Sequence, residues 1–159
     1  MRKNKILVLD FGSQYSQLIV RRIREIGVYC ELLPYDTDTS KISEFEPQGI
    51  ILSGGPASVY EEEGSPRAPD LIFDLGIPLL GICYGMQAMA DQLGGTVVAA
   101  HKREFGFAEI RARGHSELLK NISDRTNAEN HGLLYVWMSH GVKVTDLPNG
   151  FKVIASNDS

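Results

Sequence analysis

Cys83 is one of two cysteines in the chain, and the stretch "PLLGICYGMQAMADQLGG", residues 78–95, sets it between an apolar run and an apolar-periodic helix. Glycines stand two residues away on either side. This GxCxG pattern, Gly81 to Gly85, has the form of a nucleophile elbow, in which the reactive residue occupies a tight strand-to-helix turn with strained backbone. Glycine is needed at both flanks because a side chain there would collide with neighbouring backbone. A helix start also offers unpaired amides and the positive end of the helix dipole, which favour a thiolate over a thiol. The amide of Tyr84, next in sequence, can face a developing oxyanion. A second donor must come from a neighbouring strand end, and "LSGGP" provides one. Gly54 and Gly55 leave backbone amides uncovered by side chains, and Pro56, lacking an amide proton, helps fix the loop.

The competing reading is a core cysteine, since free cysteine is among the most buried residue types and glycine is common at strand-to-helix turns. Two details weigh towards a nucleophile. Gln87, one turn after the cysteine, can present an amide to a substrate, and the "SGGP" loop is a separate feature. Cys30 sits inside a strand with no such setting and is assigned to the core.

Loops of this kind need a scaffold that brings several strand ends to one edge. "KILVLD", residues 5–10, is a short apolar run followed by Leu18, Ile19, Arg22, Ile23 and Ile26 at helical spacing, stopped by Gly27. "VYCELLP" reads as a second strand, and "GIILSGGP" from Gly49 as a third, an unbroken β-rich run typical of a buried parallel strand. Residues 70–75 read as a short helix leading into a fourth strand, "IPLLGI". A helix over residues 85–93 follows, with Met86, Met89, Ala90 and Leu93 on one face and Gly94 and Gly95 marking its end. Alternating strands and helices imply βαβ units and a doubly wound, flavodoxin-like α/β fold, a mostly parallel sheet with helices on both faces. From Thr96 onward "TVVAA", "FGFAEIRAR", "YVWMSH" and "FKVIASN" read as an antiparallel extension, with a possible turn at 116–121. In such a sheet ligands meet the loops at the carboxyl ends of the strands, where "DFGSQ", "LSGGP" and "GICYGMQ" all open.

The bulk numbers exclude several classes. At 159 residues and 43% hydrophobic, the chain is about one domain with enough apolar material for a core. Sixteen basic against 20 acidic residues give a formal charge of -4 with no Lys/Arg stripe, so nucleic acid is not an expected partner. The basic head of "MRKNKILVLDFGS" leads into an apolar run that ends at Asp10, too short for a signal peptide, and no run reaches membrane length. Two cysteines without a CxxC suggest neither a disulfide framework nor a zinc site, which fits a reducing cytoplasm. No metal site is expected: the Glu61 to Glu63 run reads as a solvated loop.

The stretches "LDFGSQYSQLIVRRIREIGVYCEL", "GIILSGGPASVY", "SPRAP", "GICYGMQAMADQLGG", "REFGFAEI" and "VWMSHG" together resemble the triad-type, class I glutamine amidotransferase domain of the GMP synthetase branch, over essentially the whole of residues 1–159. The resemblance implies that Cys83 attacks the side-chain amide of glutamine. Ammonia leaves, and water releases glutamate from the thioester. It implies that Gly55 and Tyr84 supply the oxyanion amides, and that Gln87 with the backbone around Ser139, His140 and Gly141 holds the amino acid end of the substrate. It further implies that ammonia passes to an ATP pyrophosphatase domain or subunit that activates XMP with ATP and magnesium. No cofactor is expected in the amidotransferase domain itself, and no P-loop pattern occurs.

Two departures accompany the resemblance. The family pairs its cysteine with a histidine and a glutamate in an "HPE" motif that is not found within residues 1–159, so the domain is expected to be C-terminally incomplete and poor in glutamine turnover. Val142 stands where the branch carries an acidic residue after "SHG". His140 is the best internal candidate for a base, at a strand end before glycine, but the resemblance makes it a substrate-side residue. His101, His115 and His131 read as surface histidines. Two alternatives remain beside this one: a DJ-1/PfpI-like cysteine hydrolase, and a noncatalytic module that keeps the fold and docks on a synthetase. A phosphate or nucleotide binder using "DFGS" rests on Asp10 alone.

Overall fold

In β1 (Lys5–Asp10) successive side chains feed two different cores. Leu7 and Leu9 point to one side of the sheet, where Ile50, Leu52, Ile42, Ile72, Tyr84 and Ala88 pack against them. Val8 points to the other side and meets Val20 and Cys30. Each such buried side chain contributes roughly 1.5–3 kcal/mol by leaving water, so a two-sided strand anchors both layers. The computed structural model describes residues 4–56, 64–113 and 116–157, apart from the side chains of 100–104 and 140; the Glu61 to Glu63 run and His115 lie outside the described residues.

The elements follow in order. After β1 come α1 (Ser16–Glu25), β2 (Tyr29–Pro34), α2 (Thr39–Phe45), β3 (Gly49–Leu52), α3 (Leu71–Asp74), β4 (Leu79–Gly81) and α4 (Tyr84–Gln92). The four strands form one parallel sheet in the order β2-β1-β3-β4, with Val8 registered between Leu32 and Ile51. α1 covers one face through Val20, Ile19 and Ile23, and α2, α3 and α4 cover the other. The chain leaves β1 towards β2 and returns past it to β3. The switch point, where such folds bind ligands, therefore lies between the carboxyl ends of β1 and β3.

The second part of the chain is β5 (Thr96–Ala112), β6 (Arg125–Thr126), β7 (Gly132–Asp146) and β8 (Ala155–Ser156), a sheet in the order β6-β7-β5-β8. The pairs β5–β8 and β6–β7 are antiparallel. By contact the chain divides into two compact units, residues 1–98 with 144–148, and residues 99–143 with 149–159. Among the described residues no helix is long and apolar enough to cross a membrane.

Several details differ from the sequence reading, and of "FKVIASN" only β8, Ala155–Ser156, is strand. α2 is absent from that reading because its apolar signal is only Ile42 and Phe45; its start is set instead by Asp38, whose carboxylate accepts from the Ser40 amide at 2.9 Å. In α4 the buried residues are Tyr84, Gly85, Ala88 and Ala90; of the face named from the sequence, Ala90 is buried and Met89 packs partly against the core, whereas Met86 and Leu93 are both 37% exposed. At Gly85 the helix lies too close to β3 for any side chain, since a Cβ there would stand 2.6 Å from the Leu52 carbonyl carbon. "TVVAA" and "FGFAEIRAR" belong to one strand, β5, which runs unbroken through the charged residues between them. Likewise β7 runs through His140, which is not at a strand end, because Val142 and Val144 continue the β-forming pattern beyond Gly141.

Asp38 also makes a pH prediction. The backbone bond from Ser40, then its side-chain bond, with a smaller contribution from Lys41, hold the carboxyl below its ordinary value of 3.8. A lowered folded-state pKa stabilises above the unfolded value, and that contribution is lost as pH falls through the folded one. Urea unfolding of Asp38→Ala is therefore expected to show a stability deficit near neutrality that narrows as pH drops below 3.8. A deficit independent of pH would mean that the carboxylate charge does not contribute.

Candidate active site

Three loops meet at the carboxyl edge of the first sheet, and one carboxylate oxygen ties two of them together. Asp10 Oδ1 accepts from Gly12 N at 2.9 Å, Ser13 N at 3.2 Å, Ser16 Oγ at 2.6 Å and Ser53 Oγ at 3.4 Å. Ser53, fully buried, also accepts from Phe11 N at 3.0 Å. The β1 and β3 loops are thus stapled to each other. Because Gly12 and Ser13 already give their amides to Asp10, they have none to offer a phosphate, which argues against the nucleotide-binding reading.

Beyond Ser53 come Gly54, which is buried, and Gly55, which is half-buried. Among the described residues neither amide nitrogen donates a hydrogen bond. A Cβ at Gly55 would stand 2.5 Å from the Phe11 carbonyl oxygen, so no other residue fits. At Gly54 it would stand 3.4 Å from Cys83 Cβ and 3.6 Å from Ser13 Oγ, which places the β3 loop directly against the cysteine and brings a β1-loop hydroxyl alongside.

Cys83 is exposed and occupies the N-cap position of α4 with φ 50° and ψ -113°. Positive φ at a side-chain-bearing residue carries strain of order 1–3 kcal/mol and persists only where the surroundings dictate it. They do so here through Ile82 N to Leu52 O at 2.9 Å, Gly85 N to Ser53 O at 3.0 Å and Gln87 N to Cys83 O at 3.1 Å. The flanking glycines are sterically required. A Cβ at Gly81 would lie 2.7 Å from Met86 Cα, and one at Gly85 would run into the Leu52 carbonyl.

Gln87, on the first turn of α4, has a buried Oε1 with no hydrogen-bond partner among the described residues. Buried acceptors are nearly always satisfied, so an orphan beside this elbow suits a ligand donor. Tyr84 heads the helix, with its ring buried and its hydroxyl donating to Pro66 O at 2.7 Å. Cys30 is fully buried, its Sγ 3.5 Å from the Val20 carbonyl oxygen. Ser139, His140 and Gly141 belong to β7 in the second unit, and the His140 side chain is outside the described residues.

Cys83, Gly54, Gly55 and Gln87, which the sequence reading names, all lie at the carboxyl edge of the first sheet, and the Asp10–Ser53 staple is the feature that reading misses. Its signal is an Asp two residues before Gly and three before Ser, the pattern of a side chain that caps its own loop.

An exposed, strained cysteine at a helix start between two glycine-lined strand ends defines a nucleophile-elbow site on an open α/β sheet. The sequence matches glutamine amidotransferase class-I over residues 7–159, and the chain belongs to that family. Its relatives carry a more particular name. It is 69% identical over 153 residues to the GMP synthase (glutamine-hydrolyzing) of Thiobacillus denitrificans, covering 96% of this chain, and 68% identical over 159 residues to that of an Azoarcus species, covering all of it. The chain spans only 29% and 30% of those two proteins. Among solved structures, a GMP synthase subunit from Thermoplasma acidophilum superposes with a TM-score of 0.79 at 31% identity, covering 98% of this chain and 73% of that one. The family match favours neither the DJ-1/PfpI-like reading nor the noncatalytic module.

Proposed function

We propose that this chain is the glutamine-hydrolysing part of a GMP-forming enzyme, residues 1–159 contributing to one amidotransferase domain. The observation that carries the reading is the exposed Cys83 at φ 50° with the Gly54–Gly55 loop against its Cβ. The thiolate attacks the carboxamide carbon of glutamine, and the negative charge that develops on oxygen is met by the Gly55 and Tyr84 amides. The C–N bond breaks, ammonia departs with an added proton, and a glutamyl thioester stays on Cys83. Water then cleaves the thioester and returns glutamate and the thiol. Gln87, whose buried Oε1 lacks a partner among the described residues, holds the amino acid end of the substrate.

The ammonia goes to a synthetase domain or subunit that activates XMP with ATP and magnesium. This is supported by relatives named GMP synthase of which the chain spans about a third or less. Two free cysteines, with no disulfide, suit a cytoplasmic setting.

Alkylation by a chloroketone analogue of glutamine needs the nucleophile and its substrate contacts alone, so it tests the site directly. Labelling is expected at Cys83 and not at Cys30, saturating with analogue concentration and suppressed by glutamine. Labelling that neither saturates nor yields to glutamine would overturn the reading.

A further inference from the structure

The "SPRAP" segment has no part in the chemistry above, yet it is fastened along the helix that Cys83 begins. Pro66 O receives the Tyr84 hydroxyl at 2.7 Å, at the first residue of α4. At the last residue, the Gln92 carboxamide grips Ala68 from both sides: Oε1 accepts from Ala68 N at 2.9 Å, and Nε2 donates to Ala68 O at 2.9 Å and to Asp70 Oδ1 at 3.1 Å. Arg67 adds a 2.7 Å ion pair to Asp91, exposed and therefore weak. Pro66 and Pro69 stiffen the segment by fixing φ on both sides of Ala68, itself buried. The Tyr84 ring is held in turn, 5.3 Å from the Phe11 ring.

A helix whose first dihedral is strained tends to relax by rotating or sliding, and that motion would carry Cys83 and the Tyr84 amide away from Gly54 and Gly55. Fastening both ends of the helix opposes it. We propose that residues 64–70 form a strap that, through the Tyr84 hydroxyl and the Gln92 carboxamide, positions Cys83 against the oxyanion amides. Tyr84 Oη and Gln92 act here as positioning groups: they serve the bond-forming step and leave glutamine binding alone. The inference rests on the amidotransferase reading above.

The test is saturation labelling by the chloroketone analogue, resolved into a maximal rate and a half-saturating concentration, beside iodoacetamide alkylation and thermal unfolding. The parent and Cys83→Ser come first. Saturable labelling lost in Cys83→Ser upholds the amidotransferase reading, and its absence in the parent sinks that reading by itself. With the parent active, Tyr84→Phe and Gln92→Leu are each expected to lower the maximal labelling rate about tenfold or more, as small displacements of reacting groups do. The half-saturating concentration and the iodoacetamide rate should stay within about twofold of the parent's if only orientation has changed. Gln92→Leu reaches the strap from the far end of the helix, so it reads the same proposal should Tyr84→Phe fail to fold. An unchanged maximal rate in the variants that fold would overturn the strap's role. So would a loss that merely follows a lowered Tm and a shifted iodoacetamide rate, because the strap would then be ordinary scaffolding.

Discussion

Cys83→Gly is expected to be inert towards the glutamine analogue and yet more stable than the parent protein. The thiol is the only group proposed to bond the substrate carbon, so its removal should lower any glutaminase rate by roughly 10⁴–10⁶-fold, the scale seen when a nucleophile is deleted. Stability should move the other way. Cys83 holds φ 50° and ψ -113° and makes no side-chain capping bond to its helix, so its Cβ adds strain without a compensating contact there. Glycine at this position relieves about 1–3 kcal/mol of strain and loses about 0.5–1 kcal/mol through the freer unfolded chain, a net gain of about 1 kcal/mol. Cys83→Ser keeps the Cβ and with it the strain, so it should be inert without the gain. Urea midpoints of the three proteins decide the matter. A glycine variant less stable than the serine variant would show that the dihedral is not strained.

Gly85→Ala should come close to unfolding the first unit. The added methyl group would meet the Leu52 carbonyl carbon and Cβ at 2.6 Å, besides the carbonyl oxygen. These atoms belong to β3, which is paired on both sides and cannot retreat. α4 would have to lift from the sheet, parting the Gly85 N to Ser53 O bond and opening the cluster around Tyr84 and Ala88. A loss of about 3–5 kcal/mol follows from overpacking combined with a broken buried bond, against a typical total of about 5–15 kcal/mol. Gly94→Ala is the matched control. Its Cβ would meet nothing within 4 Å, so only the positive φ of 89° is penalised, by about 1–2 kcal/mol. Equal unfolding midpoints for the two variants would disprove the close approach of α4 to β3.

What the sequence discloses follows the strength of its local signals. β1 to β4 are short apolar runs ending near glycine or proline, and the parallel sheet and its edge of loops can be read from them. The elbow announces itself because Gly81 and Gly85 are forced by backbone contact, a constraint that reaches no further than Met86 and Leu52. α2 leaves almost no trace, since a seven-residue helix with one buried side chain has little periodicity to detect. The α4 face is read only in part: Met89 and Ala90 meet the core, but Met86 carries the same hydropathy signal and is 37% exposed, while Gly85 and Ala88, which are buried, register weakly on any scale. Contacts between residues far apart in sequence, such as Ser53 with Phe11 or Gln92 with Ala68, have no local signature at all. The family resemblance extends the site reading to Ser139, His140 and Gly141, which nothing in their own spacing singles out.

The contrast between the two sulfurs gives the protein a built-in gauge of its own folding. Cys83 stands open to reagents, while Cys30, in β2, is sealed beneath α1 with no solvent contact. A native molecule should therefore consume one equivalent of a chromogenic disulfide reagent in a burst. The second equivalent becomes available only when α1 parts from the sheet, so the slow phase clocks that opening without a probe having to be engineered in.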